Sequence, residues 1–307
     1  MDFCSRRINV VQVGLGTNTT FLQNLAGTDH EWDRNIAWLL EVVSDSTLQC
    51  ITGVAIEPVR EHIEVLRTIA SRSMPRVALL QIALGAKNMR STLHMLSKSR
   101  HNQVLRTIPW WERKDLKMQL QYLQNMSSVG YEHPAIHTLR WQYWRQYGVN
   151  LRFSQRVVEM WSWGTLASNL NFRGCELLIL DTEGQDVKIL RSLISHCQSR
   201  EREKNEIHWP YVIQVETQGH NDKIEGHGAE WGIIHELEDN GYTLVHYSYF
   251  DSQLARTDAL KYNRRIWGWA TRLICTTCRR WSQYPYVTRY EDRLVYCRTC
   301  VSVVSHD

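Results

Sequence analysis

Residues 177–193 read LLILDTEGQDVKILRSL and predict a strand, a turn and a helix in immediate succession. The four apolar residues at 177–180 form an unbroken run, which is typical of a strand buried on both faces in a parallel sheet. Apolar residues then recur at helical spacing over 187–194. Asp181 and Glu183 lie between the two elements, where the strand ends of an open α/β sheet form the ligand crevice. Because buried carboxylates cost free energy unless they are paired, this stretch predicts a ligand site.

The same alternation of apolar runs and amphipathic segments extends to both sides of this stretch. The predicted strands are residues 8–13, 50–56, 77–84, 91–96, 211–216, 242–249 and 266–274. The predicted helices are residues 32–43, 59–70, 111–126, 134–147 and 231–240, with a further short helix for which Thr165 is the expected N-cap. Alternating strands and helices indicate an α/β fold with a doubly wound, mainly parallel sheet.

Residues 98–160 differ from the rest of the chain because they are polar, basic and rich in Trp and Tyr. We interpret them as a helical insertion in a domain that spans residues 1–270. The insertion is either a lid or cap that faces the substrate, or a solvated helical pair whose aromatic residues pack on the sheet. The pattern does not decide between these two interpretations.

The bulk composition is that of an ordinary globular protein, with 307 residues, 43% hydrophobic and 22% charged. The net charge of +4 permits an anionic partner but does not require nucleic acid. No apolar run approaches the roughly 20 residues that a membrane-spanning helix needs. The N-terminal residues lead directly into the first strand, which leaves no room for a secretory signal and predicts a cytoplasmic protein.

Four of the eight cysteines form two Cys-x-x-Cys pairs near the C-terminus, at Cys275, Cys278, Cys297 and Cys300. The separation of the pairs is typical of a four-cysteine zinc site, in which the ion is structural because no coordination position is open. Residues 271–307 are therefore predicted to form a small zinc ribbon. Its arginine and aromatic residues could bind nucleic acid or protein, or the zinc could simply replace a core that is too small to fold alone.

Two further features at predicted strand ends indicate a nucleotide-like ligand. Gly14 and Gly16 form a turn after the first strand, where backbone N–H groups can approach a ligand closely, although turns contain glycine for other reasons. Glu57 follows the second strand, where a carboxylate can accept ribose hydroxyls, unless it is an ordinary surface residue. The acids after residue 180 have an alternative role as N-terminal helix residues, and Asp186 fits that role best.

Taken in order along the chain, the segments VQVGLGTNTTF, GVAIEP, ALGAKN, ILDTEGQDVKILRSL, VIQVET and LEDNGYTLV resemble the FkbM-type family of S-adenosylmethionine-dependent methyltransferases. The resemblance covers about residues 9–270, without residues 98–160. It implies a Rossmann-like core of about seven strands with the last pair antiparallel. It also implies O-methylation, with a small-molecule or carbohydrate-like acceptor.

The resemblance assigns cofactor contacts to Gln12, Gly14, Gly16, Asn18, Glu57, Asn88 and Asp181. Asp181 or Glu183 is the expected general base, with His220 and His227 as further possibilities. The family usually has an acidic residue where Gln12 stands, and a neutral amide lacks the charge attraction for the ammonium group of the cofactor. Gln12 therefore leaves open a non-catalytic zinc-dependent binding protein. The zinc ribbon and the basic, aromatic insertion leave open a second alternative, an RNA or protein methyltransferase recruited through the ribbon.

Overall fold

The computed structural model of the chain describes most of its central part. The described residues are 8–16, 51–73, 77–95, 102, 105, 106, 128–131, 134–148, 150, 153–172, 174–203, 209–247, 251–258, 287–289 and 294–296. The predicted helices at 32–43 and 111–126, the predicted strand at 266–274, Asn18 and the four paired cysteines lie outside these residues.

A seven-stranded sheet organises the described chain. Its strands in chain order are β1 (Ile8–Val13), β2 (Ile51–Ile56), β3 (Val77–Leu80), β8 (Leu177–Leu180), β9 (Val212–Glu216), β10 (Tyr242–Tyr247) and β11 (Asp251–Arg256). The strand order across the sheet is β10-β11-β9-β8-β1-β2-β3. Neighbouring strands from β3 to β9 are parallel, whereas β11 is antiparallel to both β9 and β10.

This arrangement confirms the mixed α/β fold and is consistent with the Rossmann-like core that the sequence implied, including an antiparallel last pair. The four residues of β8 are fully buried at the centre of the sheet, as their unbroken apolar run predicts. The last strand, however, is β11, which the sequence did not predict. Its segment DSQLAR is too polar to stand out, and it is buried because it lies between β9 and β10.

A second, four-stranded sheet has the order β4-β7-β5-β6 and comprises β4 (Ala83–Gly85), β5 (Met89–Met95), β6 (Ser128–Val129) and β7 (Ser154–Ser162). The sequence predicted one strand over residues 77–84. The structure divides it, because β3 pairs with β2 in the large sheet and β4 pairs with β7 in the small one. Successive residues of β4 point to opposite faces, so that Leu84 joins the main core and Ala83 joins a separate cluster with Leu93 and Met160.

The helices with a clear apolar period lie where they were predicted. They are α1 (Arg60–Ser73), α2 (Pro134–Tyr147), α4 (Asp186–Arg202) and α6 (Ala229–Asp239), together with the shorter α3 (Trp163–Asn169). The short α5 (His220–Glu225) was not predicted, because the sequence indicated a loop over residues 217–228. One predicted cap is wrong: the N-cap of α3 is Ser162, whose hydroxyl accepts the backbone N–H of Thr165 at 3.3 Å. Thr165 is thus inside the first turn of the helix rather than at its start.

Residues 98–160 are not purely helical. They contain α2, but they also contain β6 and most of β7, which pair with β5 in the small sheet. A short antiparallel hairpin of β12 (Val287–Arg289) and β13 (Leu294–Tyr296) lies, along the chain, between the two Cys-x-x-Cys pairs. Among the described helices, none has the length and apolarity that a membrane crossing requires.

Candidate functional site

Gly14 begins the turn that follows β1 and packs against the backbone that follows β8. Its φ angle is +81°, and a Cβ at this position would collide with the carbonyl group of Asp181. The N–H of Gly14 donates to the carbonyl of Ile56 at 3.0 Å, which links the turn to the end of β2 as well. Gly14 therefore joins the carboxyl ends of three adjacent strands.

The Glu57 carboxylate is buried and holds the glycine turn in place. One oxygen, Oε2, accepts the N–H of Gly16 at 2.8 Å. The other, Oε1, accepts the N–H of Val59 at 2.9 Å and lies 3.2 Å from Nδ1 of His62. A carboxylate has about four acceptor positions, so these contacts leave about one for a ligand hydroxyl. The structure thus joins two of the residues that the sequence singled out, Gly16 and Glu57.

Gln12 and Asn88 differ in how their amide groups are used. Gln12 is buried in β1, and its Oε1 has no hydrogen-bond partner among the described residues. The Asn88 side chain instead accepts the backbone N–H of Ser162 at 2.8 Å and so connects the β4–β5 turn to the end of β7. An unpaired buried amide oxygen costs free energy and can accept a hydrogen bond from a ligand.

Three carboxylates lie at the ends of three adjacent strands. Asp181 follows β8, Glu216 ends β9 and Asp251 begins β11. Because β11 is antiparallel, its first residue lies at the same edge of the sheet as the last residue of β9, and Glu216 and Asp251 are register partners. Together with Glu183 and Asp186 they form what we call the acidic cluster.

The acids of this cluster disfavour one another's charged forms. The Asp181 residue is exposed at the surface, yet desolvation by the surrounding protein and the charges of Glu216, Glu183, Asp186 and Asp251 raise its pKa above the usual range. Burial, reinforced by Asp186, also raises the pKa of Asp251 to about 6. The cluster therefore favours protons or cations at this edge of the sheet.

Asp186 has a structural role at the start of α4, which confirms the alternative interpretation of this residue. It is buried, and its Oδ1 accepts the hydroxyl of Thr182 at 2.6 Å. Its Oδ2 accepts the side-chain amide of Asn221 at 3.2 Å, and the Asn221 oxygen in turn accepts the N–H of Val187 at 3.2 Å. These bonds tie the first turn of α4 to α5.

His220, the first residue of α5, lies between two carboxylates of the cluster. Its Nδ1 is 3.1 Å from Oε2 of Glu183 and 3.1 Å from Oε1 of Glu216. Burial lowers the pKa of His220, but the two carboxylates outweigh that effect and raise it to about 10. Burial raises the pKa of Glu216 to about 8, while the hydrogen bond with His220 opposes the shift. Glu183 adopts φ = 55°, a conformation that is uncommon outside glycine and is found more often at functional sites.

Tyr131, which belongs to the segment of residues 98–160, lies beside the acidic cluster. Its hydroxyl lies beside Gly184, where a Cβ would collide with it, and it has no hydrogen-bond partner among the described residues. Burial, reinforced by the charges of Asp186, Glu183 and Glu216, raises the pKa of Tyr131 far above its usual value. The neighbouring Gln185 side chain also donates to the carbonyl of Val129 at 2.8 Å.

The sequence singled out only part of this arrangement. It named Asp181, Glu183 and His220, which the structure brings to one edge of the sheet, but not Glu216 or Tyr131. A signal for Glu216 was present, because this acid ends an apolar strand just as Asp181 follows one. His227, the other histidine considered, is exposed in the α5–α6 connection.

Comparisons with known proteins do not show a family for this chain. No protein-family model matches the chain, and no curated protein matches it. Among solved structures, it is similar to methyltransferase FkbM from Methylobacillus flagellatus KT, with 9% sequence identity and a TM-score of 0.37. The match covers 82% of this chain but 44% of that one, so the chain spans less than half of that protein's length. A likeness of this extent assigns no activity to the chain.

Proposed function

We propose that this chain is an S-adenosylmethionine-dependent methyltransferase that acts on a hydroxyl oxygen of a small-molecule or carbohydrate-like acceptor. The observation that carries the proposal is the position of the glycine turn, Glu57 and Asp181 at the carboxyl ends of three adjacent parallel strands. Ligands of open α/β sheets bind at this edge.

The described residues fit the cofactor in three respects. Gln12 offers a buried and unpaired oxygen to the ammonium group of the methionine portion. Glu57 retains about one acceptor position for a ribose hydroxyl. Gly14 keeps the turn free of side chains where it meets the backbone of Asp181. Asn18 and Asn88 remain sequence-based assignments.

The bound cofactor would supply an electrophilic methyl group on a sulfonium sulfur. We propose Asp181 as the group that accepts the proton of the acceptor hydroxyl, because its backbone packs against the glycine turn and the residue is exposed. The new O–CH₃ bond forms as the S–CH₃ bond breaks, the proton passes to the carboxylate, and S-adenosylhomocysteine is the second product. Positioning of the two reactants supplies much of the rate in such a displacement.

The test is isothermal titration of the zinc-loaded full chain with S-adenosylhomocysteine, with NAD as the control ligand. We expect a Kd on the order of micromolar for the wild type and no comparable binding of NAD. Glu57→Gln should weaken binding by roughly tenfold or more, because a hydrogen bond to a charged acceptor is lost and the glycine turn loses its anchor.

Glu61→Gln is the matched control. Glu61 undergoes the same chemical change a few residues away, but its carboxylate pairs with Arg156 near the surface, at 2.7 Å, rather than with the turn. The affinity of the Glu61→Gln variant for S-adenosylhomocysteine should stay within about twofold of the wild type. A folded protein that fails to bind S-adenosylhomocysteine, or that binds NAD more tightly, would overturn the proposal.

We further propose that Cys275, Cys278, Cys297 and Cys300 bind one structural zinc ion. These cysteines lie outside the described residues, but the hairpin of β12 and β13 between the two pairs supports the proposal. RNA or protein as the methyl acceptor, and a non-catalytic binding role, remain predictions of the sequence.

A further inference from the structure

Glu183, Glu216 and His220 come from three separate elements and converge on one point. Glu183 lies in the turn after β8, Glu216 ends β9 and His220 begins α5. Their potential ligand atoms all lie within 4.8 Å of one another. Nδ1 of His220 lies 3.1 Å from an oxygen of each glutamate.

An independent observation concerns Glu216 alone. Its side chain is 3% exposed, and its Oε2 has no hydrogen-bond partner among the described residues. A buried carboxylate oxygen without a partner is costly, and such atoms in native proteins call for an explanation. A bound cation is one explanation, because it compensates both the charge and the missing contact.

The charge around the triad supports this explanation. Besides Glu183 and Glu216, the acidic cluster brings the carboxylates of Asp181, Asp186 and Asp251 to the same strand ends. His220 supplies one positive charge at most and already lies against Glu183 and Glu216. A divalent ion would offset more of this charge than a shared proton can.

We propose that Glu183, Glu216 and His220 form a binding site for a divalent metal ion. Two carboxylates and one imidazole form a mixed oxygen and nitrogen donor set, which suits Mn²⁺ better than the soft thiolate-seeking ions. Adjacent ligands of an octahedral ion at about 2.1 Å are roughly 3.0 Å apart, close to the separations around Nδ1. The remaining positions are available to water or to a ligand oxygen.

The ion's role in the reaction rests on the proposed function, whereas the existence of the site does not. Asp181 follows β8 and Glu216 ends the neighbouring parallel strand β9, so both lie at the same edge of the sheet. An ion held by the triad would therefore lie near the expected base, where it could bind the acceptor hydroxyl and lower its pKa.

The experiment is a titration of Mn²⁺ into the full chain, which carries one equivalent of zinc for its cysteine pairs. The electron paramagnetic resonance signal of free Mn²⁺ reports binding without any need for activity. Four soft thiolates retain zinc in the presence of Mn²⁺, so the two sites do not compete. We expect one Mn²⁺ per chain, displaced by excess Mg²⁺, and an increase in thermal stability on binding.

Glu216→Gln and Glu183→Gln should each weaken Mn²⁺ binding by at least about tenfold and abolish the metal-induced stabilisation. Glu183 is the second variant because it lies in a partly exposed turn and its replacement leaves the buried strand unchanged. Glu225→Gln on the same short helix as His220 is the control, since Glu225 pairs with Lys188 at 2.9 Å and should leave Mn²⁺ affinity unchanged.

Two outcomes overturn the inference: a wild-type chain that leaves the free Mn²⁺ signal unchanged, or folded Glu183 and Glu216 variants that bind as tightly as the wild type. Titration with S-adenosylhomocysteine on the same samples separates this failure from failure of the proposed function. Binding of S-adenosylhomocysteine without binding of Mn²⁺ would reject the metal site alone.

Discussion

Single residues in the glycine turn have different functions. Gly14 is required by packing, because its positive φ and its contact with the Asp181 carbonyl exclude any side chain. Gly16 contributes its backbone N–H, which binds Glu57. The sequence indicated a glycine turn that approaches a ligand, and the structure adds that the same turn holds three strand ends together.

Replacement of Gly14 by alanine should therefore destabilise the fold strongly. We expect about 1–2 kcal/mol from the left-handed backbone and about 1–3 kcal/mol more from the collision with the Asp181 carbonyl. The measurement is the free energy of unfolding from urea denaturation.

Gly148→Ala is the matched control for this prediction. Gly148 also has a positive φ, +65°, but a Cβ there would meet no atom within 4 Å. Only the backbone cost of about 1–2 kcal/mol should remain. Equal losses for the two variants would show that the contact with Asp181 contributes nothing.

At the scale of elements, the Asn221 side chain is one of the links that position α5. Asn221 accepts the N–H of Val187 and donates to Asp186, while its own N–H donates to Glu230 at 3.0 Å. It thus links α4, α5 and α6, and it sets the position of the neighbouring His220. The place of His220 beside the two glutamates depends on this connection.

Asn221→Ala should leave Asp186 and the first turn of α4 without these partners. Because both groups are buried, we expect a loss of about 1–3 kcal/mol in the free energy of unfolding, together with weaker Mn²⁺ binding. Chemical denaturation and the Mn²⁺ titration measure the two effects.

Asn240→Ala provides the comparison, since Asn240 makes side-chain hydrogen bonds at the less buried end of α6. The Asn240→Ala variant should lose less free energy of unfolding than Asn221→Ala, and its Mn²⁺ affinity should equal that of the wild type. If Asn221→Ala bound Mn²⁺ as tightly as the wild type, α5 would not need this link to hold His220.

Local sequence patterns predicted those elements whose burial is visible in their own residues. The runs of β1 and β8 and the periodic faces of α1, α4 and α6 belong to this group. The small sheet was not predicted, since a single polar residue, Gln81, is the only interruption of the apolar run at 77–84 and does not mark the point where the chain leaves the large sheet. Its division is set by pairing with residues 160–162, which are distant in sequence.

The same distinction applies to the candidate site. Asp181 and Glu183 follow a strand that can be recognised locally, so a ligand site was predicted there. The approach of Glu216 and His220 to Glu183 depends on the order of β8 and β9 and on the path of α5. That information is not present in any short stretch of sequence.

At the scale of the whole molecule, the last described strand of the large sheet, β11, ends at Arg256, before the paired cysteines begin. The residues proposed to bind the cofactor all precede that point. We therefore expect Cys297→Ser to lose its zinc, measured by metal analysis, while the affinity for S-adenosylhomocysteine stays within about twofold of the wild type.

Cys4→Ser serves as the control, because Cys4 belongs to neither cysteine pair and should leave the zinc content unchanged. Simultaneous loss of zinc and of S-adenosylhomocysteine binding in Cys297→Ser would show that the C-terminal segment supports the cofactor site.

The passage of the chain from β3 to β4 has a mechanical consequence. Only Gln81 and Ile82 separate the strand that edges the large sheet from the strand that edges the small one. Ile82 and Leu84 are buried in the main core, so the link cannot act as a hinge. A tilt of the small sheet is then transmitted directly to the large one, and Tyr131, two residues after β6 of the small sheet, keeps its position beside the acidic cluster.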